Sequence, residues 1–235
     1  VLIHGLLATP GELKPLGIKL QGLGYNVITC RLKGHGTSPW DLHERTWQDW
    51  YQSVRQSIKI AHCYSTKVHL VGFSSGALLA LMSAANRNFN IKSVTACSTP
   101  LAFIDPLVNF VKVAEITNKL FKKFSHSEGI MPFKKGSPEH PLLNYQHVPI
   151  AAIHQLLILI KKTRPKIKKL HCPTFLLQAD NDPVVDPSSM KELLNYVPNQ
   201  HINYEWISSN RHGILYENTG NCQQKVIDFI CKQSK

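Results

Sequence analysis

The sequence predicts an α/β domain with a mostly parallel sheet and helices on both faces. Three observations lead there. Strand-like apolar runs alternate with helix-like runs along most of the chain. The strand-like runs are apolar nearly throughout, as strands buried on both faces are. A glycine-flanked corner, Gly72-Phe73-Ser74-Ser75-Gly76, joins a β-prone run directly to a helix rich in Ala and Leu.

The elements follow in order. "VLIHG" opens the chain as a strand, "ELKPLGIKLQGLG" reads as a helix and "YNVITCRL" as the next strand. Residues 46–64 start on a threonine cap and carry apolar residues near helical spacing, so they form a helix. "KVHLVGF" is a strand, "SGALLALMSAANR" a helix and "IKSVTACST" a strand. The rhythm resumes late in the chain with strand "PTFLLQAD", helix "SSMKELLNYV", strand "INYEWIS" and helix "NCQQKVIDFICKQ". Residues 100–170 break it: they are helical or irregular, carry no clear strand and are too long for an ordinary connection. They are expected to form a helical cap inserted into a core made of residues 1–99 and 171–235.

The totals bound the function. A chain of 235 residues, 43% hydrophobic, suits one large domain. No apolar run reaches the roughly 18 residues of a membrane span, and the longest candidate, "VPIAAIHQLLILIKK", is interrupted by His154 and Gln155. The chain begins inside a strand without an initiator Met or signal-peptide pattern, so residues upstream are expected to be missing. The six cysteines lack C-x-x-C or zinc-finger spacing, and there is no N-x-S/T sequon. Buried free thiols and a cytoplasmic location are the expectation. The formal net charge of +12 would suit nucleic acid, an anionic membrane or acidic substrates. No nucleic-acid recognition motif accompanies it, so nucleic acid is not expected as a partner.

The corner at Ser74 fits G-x-S-x-G, the nucleophile elbow, in which the central serine sits on a strained strand-to-helix turn. Ser74 is the residue presented, and Ser75 would contribute only its backbone N–H to an oxyanion hole. A serine needs a base, and the base an orienting carboxylate. With the elbow, the chain order is Ser, then Asp or Glu, then His. "LLQADNDPVVDP" supplies Asp180, Asp182 and Asp186, and "SSNRHGILYE" supplies His212, both just past apolar strands. Asp182 is the chosen acid because it precedes the Pro183-Val184-Val185 turn. Asp180 reads as a loop hydrogen-bonding residue and Asp186 as a helix cap. The second oxyanion donor is expected from "HGLLATPGE", at the N–H of Leu6, with His4 shaping the loop. No metal-ligand cluster is legible among the histidines, and this chemistry calls for no metal or organic cofactor.

Together these residues resemble the α/β-hydrolase superfamily, and within it bacterial carboxylesterases and monoacylglycerol lipases. "VLIHGLLATPGELKPLG" resembles the family's HG loop and following helix. "RLKGHGTSPWDLHERTWQDW" resembles its GHG turn and Trp-containing helix, and "GFSSG" its elbow. "PTFLLQADNDPVVDPSSM" resembles its acid loop, and "SSNRHGILYE" its histidine loop. The resemblance spans nearly the whole chain. It implies hydrolysis of a small acyl ester by Ser74, Asp182 and His212, with Leu6 and Ser75 as oxyanion donors and a cap shaping an acyl pocket. Leu101, Phe103, Leu156 and Leu159 are the expected pocket residues. The rivals are a thioesterase or lysophospholipase on the same triad, and a binding protein that keeps the fold without turnover. The chain departs from the family pattern in lacking the strands that usually precede the HG strand. Its cap is unusually basic, with Lys119, Lys122, Lys123, Lys134, Lys135, Lys161, Lys162, Arg164, Lys166, Lys168 and Lys169. This basic cap is expected to lie where substrate enters and to contact an anionic membrane.

Overall fold

The computed structural model describes residues 1–124, 129, 131–198 and 202–235, with the side chains of residues 109, 119, 123 and 124 outside that description. Six strands form one parallel sheet: β1 (Leu2–Ile3), β2 (Thr29–Cys30), β3 (Val68–Phe73), β4 (Ile91–Cys97), β7 (Thr174–Ala179) and β8 (Ile202–Ile207). The order across the sheet is β2-β1-β3-β4-β7-β8. The chain therefore leaves β1 for one neighbour and returns to the other side, and this reversal is the crevice where open α/β sheets hold their sites.

Each strand has a reason in its residues. Leu70 of β3 is buried in one core while Val71 and Phe73 are buried in the other, and Leu176 of β7 alternates with Phe175 and Leu177 in the same way. Period-two burial with both faces apolar is what a covered parallel strand requires. The first core lies under α3 (Trp47–Tyr64), α4 (Ser75–Ala84), α6 (Ile150–Ile167) and α7 (Ser188–Tyr196). The second lies under α1 (Lys14–Gly22), α8 (Ile214–Glu217) and α9 (Cys222–Ser234). Helix α4 is buried along its whole length, which explains why its sequence is apolar on every face. Helix α3 starts where Asp49 accepts hydrogen bonds from the N–H and hydroxyl of Thr46. The short α2 (Pro39–His43) starts where the Ser38 hydroxyl accepts from the N–H of Asp41 at 3.1 Å. Cys30, Cys97, Cys172 and Cys222 are buried free thiols, whereas Cys63 is exposed and Cys231 half-buried. Among the described residues no helix is long and apolar enough to cross a membrane.

Between β4 and β7 the chain forms α5 (Val111–Phe124), an antiparallel hairpin of β5 (Phe133–Lys135) and β6 (His147–Pro149), and α6. The hairpin corrects the expectation that this segment carries no strand. Its strands are three residues each and too polar to show an alternation. Helix α6 is not a loose cover, because Ala152, Leu156, Leu159, Ile160 and Ile167 are part of the first core. Strand direction also divides the basic residues. Lys168 and Lys169 immediately precede β7, which runs parallel to β3, so they sit at the amino edge of the sheet, opposite the Ser74 corner. The sequence expectation of one basic face at the substrate entrance therefore fails for these two. Lys119 and Lys123 carry side chains outside the described residues.

Candidate active site

The corner is built by close approach. Ser74 has φ 53° and ψ −122°, a left-handed strain that a non-glycine residue adopts only when its surroundings force it. Its N–H is tied to the carbonyl of Cys97 at 2.9 Å. The flanking glycines leave no room for a side chain. A Cβ on Gly72 would stand 2.6 Å from the Cα of Ala77, and one on Gly76 would stand 2.5 Å from the carbonyl oxygen of His4. Both obstacles are backbone, so neither can give way.

Three sequence-distant side chains meet at this corner. His212 Nε2 lies 3.1 Å from Ser74 Oγ, and His212 Nδ1 lies 2.8 Å from Oδ2 and 3.0 Å from Oδ1 of Asp182. Asp182 is 2% exposed, and its carboxylate also accepts from the N–H groups of Val184 and Val185, each at 2.9 Å, and from Gln178 Nε2 at 3.2 Å. These donors fix both carboxylate oxygens in place. With Nδ1 against the carboxylate, Nε2 is the ring nitrogen that faces the Ser74 hydroxyl. The neighbouring acids do other things. Asp180 accepts from the N–H of Ser209 at 2.9 Å, and Asp186 from that of Ser188 at 2.7 Å, where α7 begins.

The loop after β1 closes the other side. A Cβ on Gly5 would stand 3.3 Å from that of Ser74, so this loop lies against the serine. Among the described residues no group accepts from the N–H of Leu6 or of Ser75. Leu7, two residues after Gly5 in this loop, holds φ 70°, a second strained residue. His4 is fully buried; its Nε2 accepts from the N–H of Leu32 at 3.3 Å, and Nδ1 is 2.8 Å from the carbonyl of Gly5. Burial, with His35 nearby, pushes its pKa down to about 3, so it is a neutral brace between two loops.

Of the expected pocket residues, Leu101, Leu156 and Leu159 are buried in the first core, and half-buried Phe103 forms a bridge with Val185 of the acid loop. Two carboxyls of the neighbourhood escaped sequence reading. Glu12, 6% exposed, accepts the N–H of Gly5 at 2.7 Å. Burial lifts its pKa to about 7, against the opposing pull of that N–H and of His212. Glu139 accepts the N–H groups of His212 and Gly213 at 3.0 and 2.8 Å. With His140 and Glu217 it also makes a set of three metal-capable groups within 4.8 Å, which the sequence did not reveal. Arg211 pairs with both of these glutamates and supplies a cation there, its Nε 3.7 Å from Glu139 and its Nη2 2.7 Å from Glu217.

Residues 1–219 match the profile of the family described as serine aminopeptidase, S33. The chain is 26% identical over 189 residues to a thermostable monoacylglycerol lipase of Bacillus sp. (strain H-257), covering 80% of this chain and 72% of that one. It is 23% identical over 234 residues to a carboxylesterase of Bacillus subtilis (strain 168), covering 99% and 92%. Among solved structures, that of LipS and LipT, two metagenome-derived lipolytic enzymes, superposes with a TM-score of 0.85 at 20% identity, covering 98% and 92%.

Proposed function

The chain belongs to the serine aminopeptidase S33 family of α/β hydrolases, and from that membership we propose that it is a serine hydrolase of carboxylic esters. The substrates proposed are short- to medium-chain acyl esters or monoacylglycerols. One observation carries the reading: a strained, glycine-flanked serine whose hydroxyl is 3.1 Å from a histidine that is itself 2.8 Å from a buried carboxylate. The relatives named monoacylglycerol lipase and carboxylesterase support an ester as substrate.

In this proposal Ser74 Oγ attacks the ester carbonyl while His212 Nε2 takes its proton. Asp182 holds the histidine tautomer and stabilises the imidazolium. The N–H groups of Leu6 and Ser75 receive the oxyanion, and removing one such donor costs roughly 3 kcal/mol. His212 returns the proton to the leaving alcohol, then activates the water that releases the acid from Ser74. Residues 100–170 act as the cap, with Phe103 at the acyl pocket and Leu101, Leu156 and Leu159 behind it. The cap also contacts an anionic lipid surface. The support for this is α5, which turns Glu115 and Asn118 inward while Val113, Ile116 and Leu120 face solvent beside exposed Lys112.

The test compares Ser74→Ala with Ser75→Ala on p-nitrophenyl esters of increasing chain length, the matching thioesters and an aminoacyl anilide. A fluorophosphonate probe is run in parallel. Ser74→Ala is expected to lose both ester turnover and labelling, and Ser75→Ala to keep most of each. An active Ser74→Ala, or preference of the wild type for the anilide, would refute the proposal.

A further inference from the structure

The loop joining β5 to β6 crosses the site and touches both of its walls. It is closed at its base by the N–H of Gly136 on the carbonyl of Gln146, at 2.7 Å. At one end the Tyr145 N–H donates to the carbonyl of strained Leu7 at 3.0 Å, and its hydroxyl bonds Gly34 and Thr37 of the GHG turn. At the other end Glu139 places one carboxylate oxygen on the N–H of His212 and the other on that of Gly213.

We propose that Glu139 is a positioning residue for His212. The inference rests on the triad reading above. Residues 208–213 have no regular secondary structure; α8 takes up the carbonyls of His212 and Gly213, through the N–H groups of Ile214 at 2.8 Å and Glu217 at 3.0 Å, and leaves their N–H groups to Glu139. Asp182 holds the ring, and Glu139 holds the two peptide N–H groups on either side of its Cα and carbonyl. Two charge-assisted bonds from one carboxylate fix a peptide in orientation as well as place. The approach is tight: a Cβ on Gly213 would stand 3.1 Å from Glu139 Oε2 and 2.8 Å from His140 Nε2. The glycine after the histidine therefore makes room for the clamp. The residues joined are 73 and 74 apart in sequence, so the inserted segment sets the geometry of the hydrolase core rather than merely covering it.

The experiment measures kcat and KM for p-nitrophenyl butyrate and the rate of fluorophosphonate labelling on the full chain. The variants are Glu139→Ala, Glu139→Gln and Glu217→Gln, with Ser74→Ala as control and thermal midpoints for each. A displacement of about 1 Å at a reacting group can cost on the order of a hundredfold. Glu139→Ala is expected to lower kcat and the labelling rate about tenfold or more, with KM changed much less. Glu139→Gln retains one acceptor oxygen and should fall between. Glu217→Gln, which removes a partner of Arg211 but no contact to His212, should lower the midpoint and spare kcat. Wild-type kcat in folded Glu139→Ala overturns the clamp. So does a loss shared equally by Ala and Gln that only follows the folded fraction. Activity in Ser74→Ala would instead refute the triad reading on which the clamp rests.

Discussion

At the residue scale the site sets two carboxyl groups against one histidine and a third against the loop beside Ser74. Asp182 takes the ring, Glu139 the backbone, and Glu12 the N–H of Gly5. For Asp182 the expected outcome is that Asp182→Asn lowers kcat by orders of magnitude with an unchanged circular dichroism spectrum, because an amide does not hold the required tautomer. Asp180→Asn and Asp186→Asn touch only loop and helix-start N–H groups and should stay within a few fold. Glu12 makes a prediction about stability. Its pKa is raised from 4.5 to about 7, so the folded chain holds its proton longer than the unfolded chain does. Stability is then lost as pH rises from 4.5 through 7, on the order of 3 kcal/mol in total at about 1.4 kcal/mol per pKa unit. The buried His4 and His35, lowered to about 3 and about 4, act the opposite way and lose stability as pH falls below 6.5. Comparing Glu12→Gln with wild type cancels the histidines. The variant should gain in melting temperature relative to wild type between pH 4.5 and 7, and the gain should level off above. A constant difference across that range would refute the burial account. Ser74, His212 and the acid loop were legible because the elbow and its chain order are local patterns. Glu12 and Glu139 were not, since each acts on a backbone N–H that no sequence spacing marks.

At the element scale the central strands and α4 were legible from their long apolar runs, because these elements are buried on both faces. The paired part of β2 is only Thr29–Cys30, although the whole stretch "YNVITCRL" reads as a strand. The shortfall reflects pairing, since the one neighbour of β2 in the sheet is β1, itself only Leu2–Ile3. The hairpin of β5 and β6 was hidden for a related reason: it rests on a few main-chain bonds and a ring contact between Trp40 and Phe133, centroids 4.4 Å apart. Glycines separate legible from illegible roles. Gly72 and Gly76 face backbone in their neighbours, whereas nothing lies within 4 Å of a Cβ placed on Gly22 at the end of α1. Gly76→Ala should therefore abolish soluble folded protein or its ester turnover, since α4 cannot move off β1. Gly22→Ala should be neutral or stabilise by about 0.5–1 kcal/mol through helix propensity. Urea unfolding of the two variants side by side decides this, and a well-folded, fully active Gly76→Ala would mean that the elbow is not close-packed.

At the scale of the whole molecule, the charge and the exposed apolar surface must be read together. A net charge of +12 alone says only that the chain attracts anions. Topology separates Lys168 and Lys169, at the amino edge of the sheet, from Lys134 and Lys135 on β5. What distinguishes the second region is apolar surface. Phe110 is 66% exposed and Val113 62%, on a turn and helix that begin just after Ile104, whose N–H donates to the carbonyl of Val184 in the acid loop. An apolar stripe facing water beside lysines is the pattern of a helix lying in a lipid interface. Each lysine near an anionic leaflet contributes about 1 kcal/mol, and the attraction fades within a Debye length. The chain should therefore co-sediment with anionic liposomes at low salt and much less at high salt. Phe110→Ser with Val113→Ser should weaken that binding severalfold and leave hydrolysis of a small soluble ester unchanged. Lys168→Gln with Lys169→Gln should leave binding nearly as strong as in the wild type, because the two lysines face away from the docked edge. If that lysine pair proves to be the critical one, binding is by the opposite edge and the substrate route is not through α5. If wild type binds neutral and anionic liposomes equally, or neither, the lipid-docking proposal falls while the esterase proposal stands.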